Sequence, residues 1–118
     1  MAAKSRTQDF PMSAGGDLNS RIRAAEEALR RASNGLLTNL NALFYSKHGR
    51  SFVESLVRDP VLTYVDALKA SSQGTVEAAI KIALRAMGLD PVSVERAVEA
   101  LRRGDAVLAN RLILSSLH

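Results

Sequence analysis

The chain has 118 residues, of which 47% are hydrophobic and 24% are charged. This length and balance fit one globular domain and exclude a chain that is disordered throughout. The chain has no Cys, which excludes disulfides, thiolate metal sites and Cys nucleophiles. No apolar run approaches the roughly 18 residues of a membrane span. The N-terminus lacks the apolar core of a secretory signal peptide, so we expect a protein of the cytoplasm or of a virion.

Positive charge is concentrated in the first half of the chain. The formal net charge is +4, yet residues 51–118 carry eight basic and eight acidic groups, so the excess lies in residues 1–50. Arg outnumbers Lys by 12 to 4, and a guanidinium can pair with a phosphate through two parallel hydrogen bonds. This asymmetry favours a polyanionic partner. The alternative is a basic surface that serves only solubility.

Residues 1–16 have neither the helical nor the strand period of apolar residues, and they contain Pro11 and the pair Gly15–Gly16. We interpret them as an extended basic arm with Lys4 and Arg6 near its start. Residues 17–118 are then a single helical domain.

The first helix is predicted to start after Asp17, a good N-cap residue, and to run to about Tyr45 unless Asn34–Gly35 bends or breaks it. Its opposite face is rich in Arg, with two favourable i,i+4 pairs, Glu26 with Arg30 and Glu27 with Arg31. The predicted inner face repeats at steps of three and four. It consists of Leu18, Ile22, Ala25, Leu29, Ala32, Leu36, Leu40 and Leu43.

Two short helices follow a turn that ends at Gly49. A capping box of Ser51 and Glu54 predicts a helix over 51–58. Asp59–Pro60 starts a third helix over about 60–71, because Pro is favoured at the first helical position. The apolar residues predicted to face inward on this third helix are Val61, Leu62, Val65 and Leu68.

Three further helices complete the plan. Thr75 is expected to cap a fourth helix over 76–87, which is central because it is apolar except for one narrow stripe. Asp90–Pro91 starts a fifth helix that Gly104 stops, and Asp105 caps a sixth. The stripe on the fourth helix consists of Glu77, Lys81 and Arg85. The predicted fold is all-α, with one long amphipathic helix and a compact bundle of four to five shorter ones.

The sequence holds no constellation that supports catalysis. His48 lies in a Gly-flanked turn, His118 is the last residue, and neither has a partner at the spacing of helical metal ligands. Glu95 and Glu99 share a helix face, where nearby Arg residues predict a solvated ion-pair surface. Phosphate-loop, dinucleotide and zinc-protease motifs are missing. We therefore expect a non-enzymatic protein with no catalytic residue, metal, cofactor or small-molecule substrate.

The layout resembles the DNA-wrapping coat proteins of rod-shaped and filamentous archaeal viruses. The opening MAAKSRT, the basic first helix and the bundle centred on VEAAIKIALRAMG carry this resemblance. It implies that basic residues of the arm and first helix face DNA, while the C-terminal bundle packs against neighbouring subunits. The residues it places against DNA are Lys4, Arg6, Arg21, Arg23, Arg30 and Arg31.

Two other resemblances define alternatives. The segment SNGLLTNLNALFYSKHG is similar to the small helical subunits of archaeal CRISPR effector complexes, which also implies nucleic-acid binding without chemistry. Met87–Gly88–Leu89, followed by two helices, resembles a ubiquitin-associated module and implies a protein–protein adaptor.

The hypothesis from sequence is an oligomerising structural protein that contacts the phosphate backbone of duplex DNA. Aromatic residues are too scarce for a platform that stacks single-stranded bases, so backbone contacts should dominate. The candidate contacts are Lys4, Arg6, Arg21, Arg23, Arg30, Arg31, Lys47 and Arg50.

Overall fold

A computed structural model describes residues 17–117, which form six α-helices and no strand. The helices are α1 (Leu18–His48), α2 (Phe52–Arg58), α3 (Pro60–Ala67), α4 (Gln73–Ala86), α5 (Pro91–Arg103) and α6 (Ala106–Leu117). One long helix followed by five shorter ones confirms the all-α prediction. The predicted arm at 1–16 lies outside the described residues.

The ends of α1 follow from its caps. The carboxylate of Asp17 accepts a hydrogen bond from the backbone N–H of Ser20 at 2.7 Å, as expected of an N-cap. Gly49 adopts φ 70°, which favours glycine, and its N–H donates to the carbonyl of Tyr45 at 3.1 Å. The helix therefore runs to His48, three residues beyond the predicted end.

A kink divides α1 at Ser33, whose backbone is non-helical at φ −163° and ψ 95°. The Ser33 hydroxyl accepts a hydrogen bond from the Leu36 N–H at 3.3 Å and so caps the second segment. The break falls one residue before the predicted Asn34–Gly35. It also shifts the inner face, because Ala32 is exposed and Leu37 is buried instead.

The short helix α2 folds back on the second segment of α1. Ser51 and Glu54 form the predicted capping box, and the side-chain oxygen of Asn41 accepts a hydrogen bond from the Phe52 N–H at 3.0 Å. The rings of Phe44 and Phe52 meet edge to face, with centroids 5.6 Å apart. These contacts fix the angle between the two helices.

The prediction for α3 was wrong in its length and its orientation. The helix ends at Ala67, not near 71, and Leu62, Val65 and Leu68 are exposed while Val61 is only partly buried. Polar side chains take the inner positions because they find partners on other helices, as described below. The buried residues are Pro60, Thr63, Tyr64, Asp66 and Ala67.

The helix α4 packs against both α1 and α5, as predicted for a central helix, and six of its fourteen residues are buried. Ser72 caps it, not Thr75, because the Ser72 hydroxyl accepts from the Thr75 N–H at 3.3 Å. Glu77, the first residue of the polar stripe, is buried at 8% exposure.

The last two helices pair with each other and close the bundle. Asp90 caps α5 through the Ser93 N–H, Gly104 ends it, and Asp105 accepts from the Leu108 N–H. The helix α6 also packs on α2 and α3. None of the helices in residues 17–117 combines the length and apolar character that a bilayer crossing requires.

Candidate nucleic-acid interface

Three of the predicted contacts form one exposed surface on the first segment of α1. Arg23, Arg30 and Arg31 project away from the bundle, and we call them the α1 arginine face. Arg23 and Arg30 are seven residues apart, which places them on the same side of the helix and about 10.5 Å apart along its axis. That separation is close to three base-pair steps of one DNA strand at roughly 3.4 Å each.

One carboxylate lies within this face. Glu27 is 2.8 Å from the Arg30 guanidinium and 3.5 Å from that of Arg31. The predicted partner of Arg30 was Glu26, so this pairing is a correction. Arg23 makes no hydrogen bond or ion pair with any other described residue. Arg31 is 77% exposed and Arg23 is also exposed, so both are accessible to a ligand.

Arg21 and Arg50 have roles inside the fold. A guanidinium nitrogen of Arg21 donates to the carbonyl of Met87 at 3.1 Å and so caps the C-terminus of α4. Arg50 is partly buried, and its Nε donates to the Ser55 hydroxyl at 3.4 Å. The structure therefore separates these two residues from the α1 arginine face, although the sequence grouped all of them together.

Lys47 lies at the other end of α1, sixteen residues after Arg31 and beyond the kink at Ser33. Its ammonium is 3.7 Å from the Asp66 carboxylate, which also receives Lys69 at 3.2 Å and His48 at 2.7 Å. The His48 hydrogen bond is the largest cause that lowers the pKa of the Asp66 carboxyl. Lys47 and Lys69 thus form a second basic site. Lys4 and Arg6 lie outside the described residues.

No local pattern indicates that His48 and Asp66 are partners, because 18 residues separate them. The only local signal is Lys69, which follows Asp66 by three residues on the same helix side. The pair is a contact between α1 and α3.

A second unpredicted cluster surrounds Glu77. Its carboxylate accepts hydrogen bonds from Tyr64 at 2.8 Å, from Gln73 at 3.0 Å and from two nitrogens of Arg102 at 2.8 and 3.1 Å. Chiefly through Arg102, these bonds lower the pKa of Glu77 to about 2. Burial, aided by the bond to Glu77, raises the pKa of Tyr64 to about 12. The cluster ties α3, α4 and α5 together.

The α5–α6 surface carries an open depression of about 330 Å³, lined by side chains that include Glu95, Glu99 and Leu108. The predicted ion-pair surface is present here, since Glu95 pairs with Lys81, and Glu99 pairs with Arg102 and Arg103. Within residues 17–117 no three His, Asp or Glu side chains converge as metal ligands do.

Comparison with protein-family models, curated proteins and solved structures finds no match to this chain. Of the residues that carry the ubiquitin-associated resemblance, Met87 and Leu89 are buried, and Gly88 between them is exposed with φ 107°.

Proposed function

We propose that this protein binds the phosphate backbone of duplex DNA through the α1 arginine face. One observation carries the proposal: Arg23, Arg30 and Arg31 are exposed together on about two turns of helix, with Glu27 as the exposed carboxylate among them. Lys4 and Arg6 would extend the contact along the strand, and the basic site of Lys47 and Lys69 would add to it.

Duplex DNA is favoured over a single strand because the α1 arginine face has no aromatic side chain. Residues 23–31 read RAAEEALRR, so unpaired bases would find nothing to stack on. Arginines that contact only phosphates bind without sequence preference and release counterions, which makes the affinity depend steeply on salt.

The test compares two triple variants that remove the same charge. In the first, Arg23, Arg30 and Arg31 become Gln. In the control, Arg85, Arg96 and Arg111 become Gln; these three are exposed and have no hydrogen-bond or ion-pair partner among residues 17–117. Binding to a short duplex is measured by fluorescence anisotropy across a salt series.

We expect the first variant to lose at least tenfold in affinity, and its log–log salt slope to fall by about 2–3, since each phosphate contact contributes about 0.9. The control should change affinity less than threefold. Equal losses in both variants would show a response to net charge alone and would contradict a defined interface.

The finer proposal is a virion coat protein that assembles on DNA. The resemblance to coat proteins supports it, together with the neutral charge of residues 51–118, which suits packing between subunits. Light scattering during the DNA titration tests this directly. Growth of large particles only when DNA is present supports a coat function, whereas a one-to-one complex without growth favours a subunit of a larger nucleic-acid effector assembly.

A further inference from the structure

The outer surface of α3 carries an apolar strip. Leu62, Val65 and the C-cap residue Leu68 are 39%, 49% and 38% exposed. They are three of the six large hydrophobic side chains that are exposed within residues 17–117. Their spacing of three residues aligns them along one side of about two helical turns. Clustering of this kind distinguishes a docking surface from the single exposed apolar residues that are ordinary on proteins.

Hydrogen bonds on the opposite side of α3 hold this strip outward. The Tyr64 hydroxyl donates to Glu77 on α4, and the Asp66 carboxylate lies 2.7 Å from His48 on α1. Turning the helix to bury the strip would break both contacts, and each of the two carboxylates would lose one of its partners. The exposure is therefore built into the fold.

The strip has a basic rim. The ammonium groups of Lys47 and Lys69 both approach the same Asp66 oxygen, at 3.7 and 3.2 Å, and Lys69 lies one turn beyond Val65. Arg58, the last residue of α2 and four residues before Leu62 in the sequence, is exposed and makes no ion pair within the described residues. The Asp66 carboxylate is buried, whereas that of Asp59, which caps α3 at Leu62, is exposed. The rim therefore presents three cations and one exposed carboxylate.

We propose that the α3 strip docks an acidic amphipathic helix of a partner protein. The apolar stripe of that helix would cover Leu62, Val65 and Leu68, and flanking Asp and Glu side chains would pair with the rim. A second copy of this chain fits less well, because packing α3 on α3 would bring the basic rims of two positively charged molecules together. Three side chains make a small contact, so we expect weak, transient binding.

The test uses the full chain and a labelled designed peptide of about 16 residues, long enough for helix formation, with a Leu stripe flanked by Glu. A second peptide keeps the stripe and replaces every Glu with Lys. Binding is followed by fluorescence anisotropy. We expect micromolar binding of the Glu peptide, and binding of the Lys peptide at least tenfold weaker.

Two substitutions locate the contact. Val65→Asp should weaken binding of the Glu peptide at least tenfold. Val92→Asp is the matched control, since Val92 is 66% exposed on α5, and it should change binding less than twofold. Circular dichroism checks that both variants keep the helical content and melting temperature expected of surface changes.

Three results would overturn the proposal. Undetectable binding of the Glu peptide is one, and equal binding of the two peptides is another, since the rim would then have no role. The third is a dimer of the free chain that Val65→Asp dissociates, which would assign the strip to a second copy.

Discussion

Two glutamate–arginine clusters in this molecule use the same chemistry in opposite surroundings. Glu27 on α1 pairs with Arg30 and Arg31 at a site where its side chain is 50% exposed. Glu77 on α4 pairs with Arg102 while its own side chain is 11% exposed. Water screens the first cluster, whereas the second is mostly removed from water, so their energetic roles differ.

The difference shows which positive charges a ligand can use. Exposed ion pairs contribute about 0.2–1 kcal/mol, so a phosphate can displace Glu27 from its arginines at little cost. The buried Glu77 carboxylate is saturated by Arg102, Tyr64 and Gln73, and displacing it would leave several polar groups without partners. Arg102 is therefore a structural residue, although its side chain is 44% exposed.

The largest expected effect comes from the buried cluster. Glu77→Ala removes the acceptor for three side chains on three helices. Breaking a buried pair costs about 3–5 kcal/mol, and we expect a loss near the lower end because Arg102 can turn toward water. Urea unfolding followed by circular dichroism measures the change in the free energy of unfolding.

Glu95→Ala provides the control for this change. Glu95 also pairs with a cation, Lys81 at 3.2 Å, but its side chain is 68% exposed. We expect a loss below about 0.5 kcal/mol. Equal losses in the two variants would mean that burial of Glu77 adds nothing to the strength of its contacts.

The next largest expected effect is the pH dependence of the stability that the Glu77 contacts contribute. Because the folded-state pKa of Glu77 is lowered from 4.5 to about 2, its ionised form stabilises the fold above its ordinary pKa. That contribution is lost as the pH falls toward the folded-state value. The stability difference between wild type and Glu77→Ala should therefore shrink between about pH 5 and pH 2. A difference that stays constant over this range would contradict the lowered pKa.

Most helix starts could be predicted from sequence because N-caps are local. Asp17, Ser51, Asp59, Asp90 and Asp105 each accept a hydrogen bond from the N–H three residues later, as their side chains favour. The apolar period also identified α1 and the central position of α4. Such signals need only neighbours within one helical turn.

The orientation of α3 and the role of Arg21 could not be predicted, because both depend on partners that are distant in the sequence. The polar side of α3 is buried only because His48 and Glu77 lie opposite Asp66 and Tyr64, which no local pattern indicates. Arg21 looked like a surface cation, yet its partner is a carbonyl 66 residues away. Of the candidate site, the sequence could therefore locate the α1 arginine face but could not exclude Arg21 and Arg50 from it.

The exposed cluster provides the smallest and most specific prediction, which rests on the proposed DNA binding. Glu27→Gln keeps helix propensity and removes two exposed ion pairs, so the loss in stability should stay below about 1 kcal/mol. The same change frees Arg30 and Arg31 and removes a negative charge that would lie roughly 7 Å from a bound phosphate, worth about 0.6 kcal/mol in water. We expect duplex DNA affinity to rise roughly threefold at low salt.

Glu26→Gln is the matched control, because it removes the same charge one residue earlier on α1 and Glu26 contacts neither Arg30 nor Arg31 in the structure. Its effect on DNA affinity should be smaller than that of Glu27→Gln, and the two should converge as salt rises and screens both charges. Weaker DNA binding by Glu27→Gln would reverse the interpretation. Glu27 would then orient the two guanidinium groups for phosphate, and the exposed cluster, like the buried one, would depend on its carboxylate.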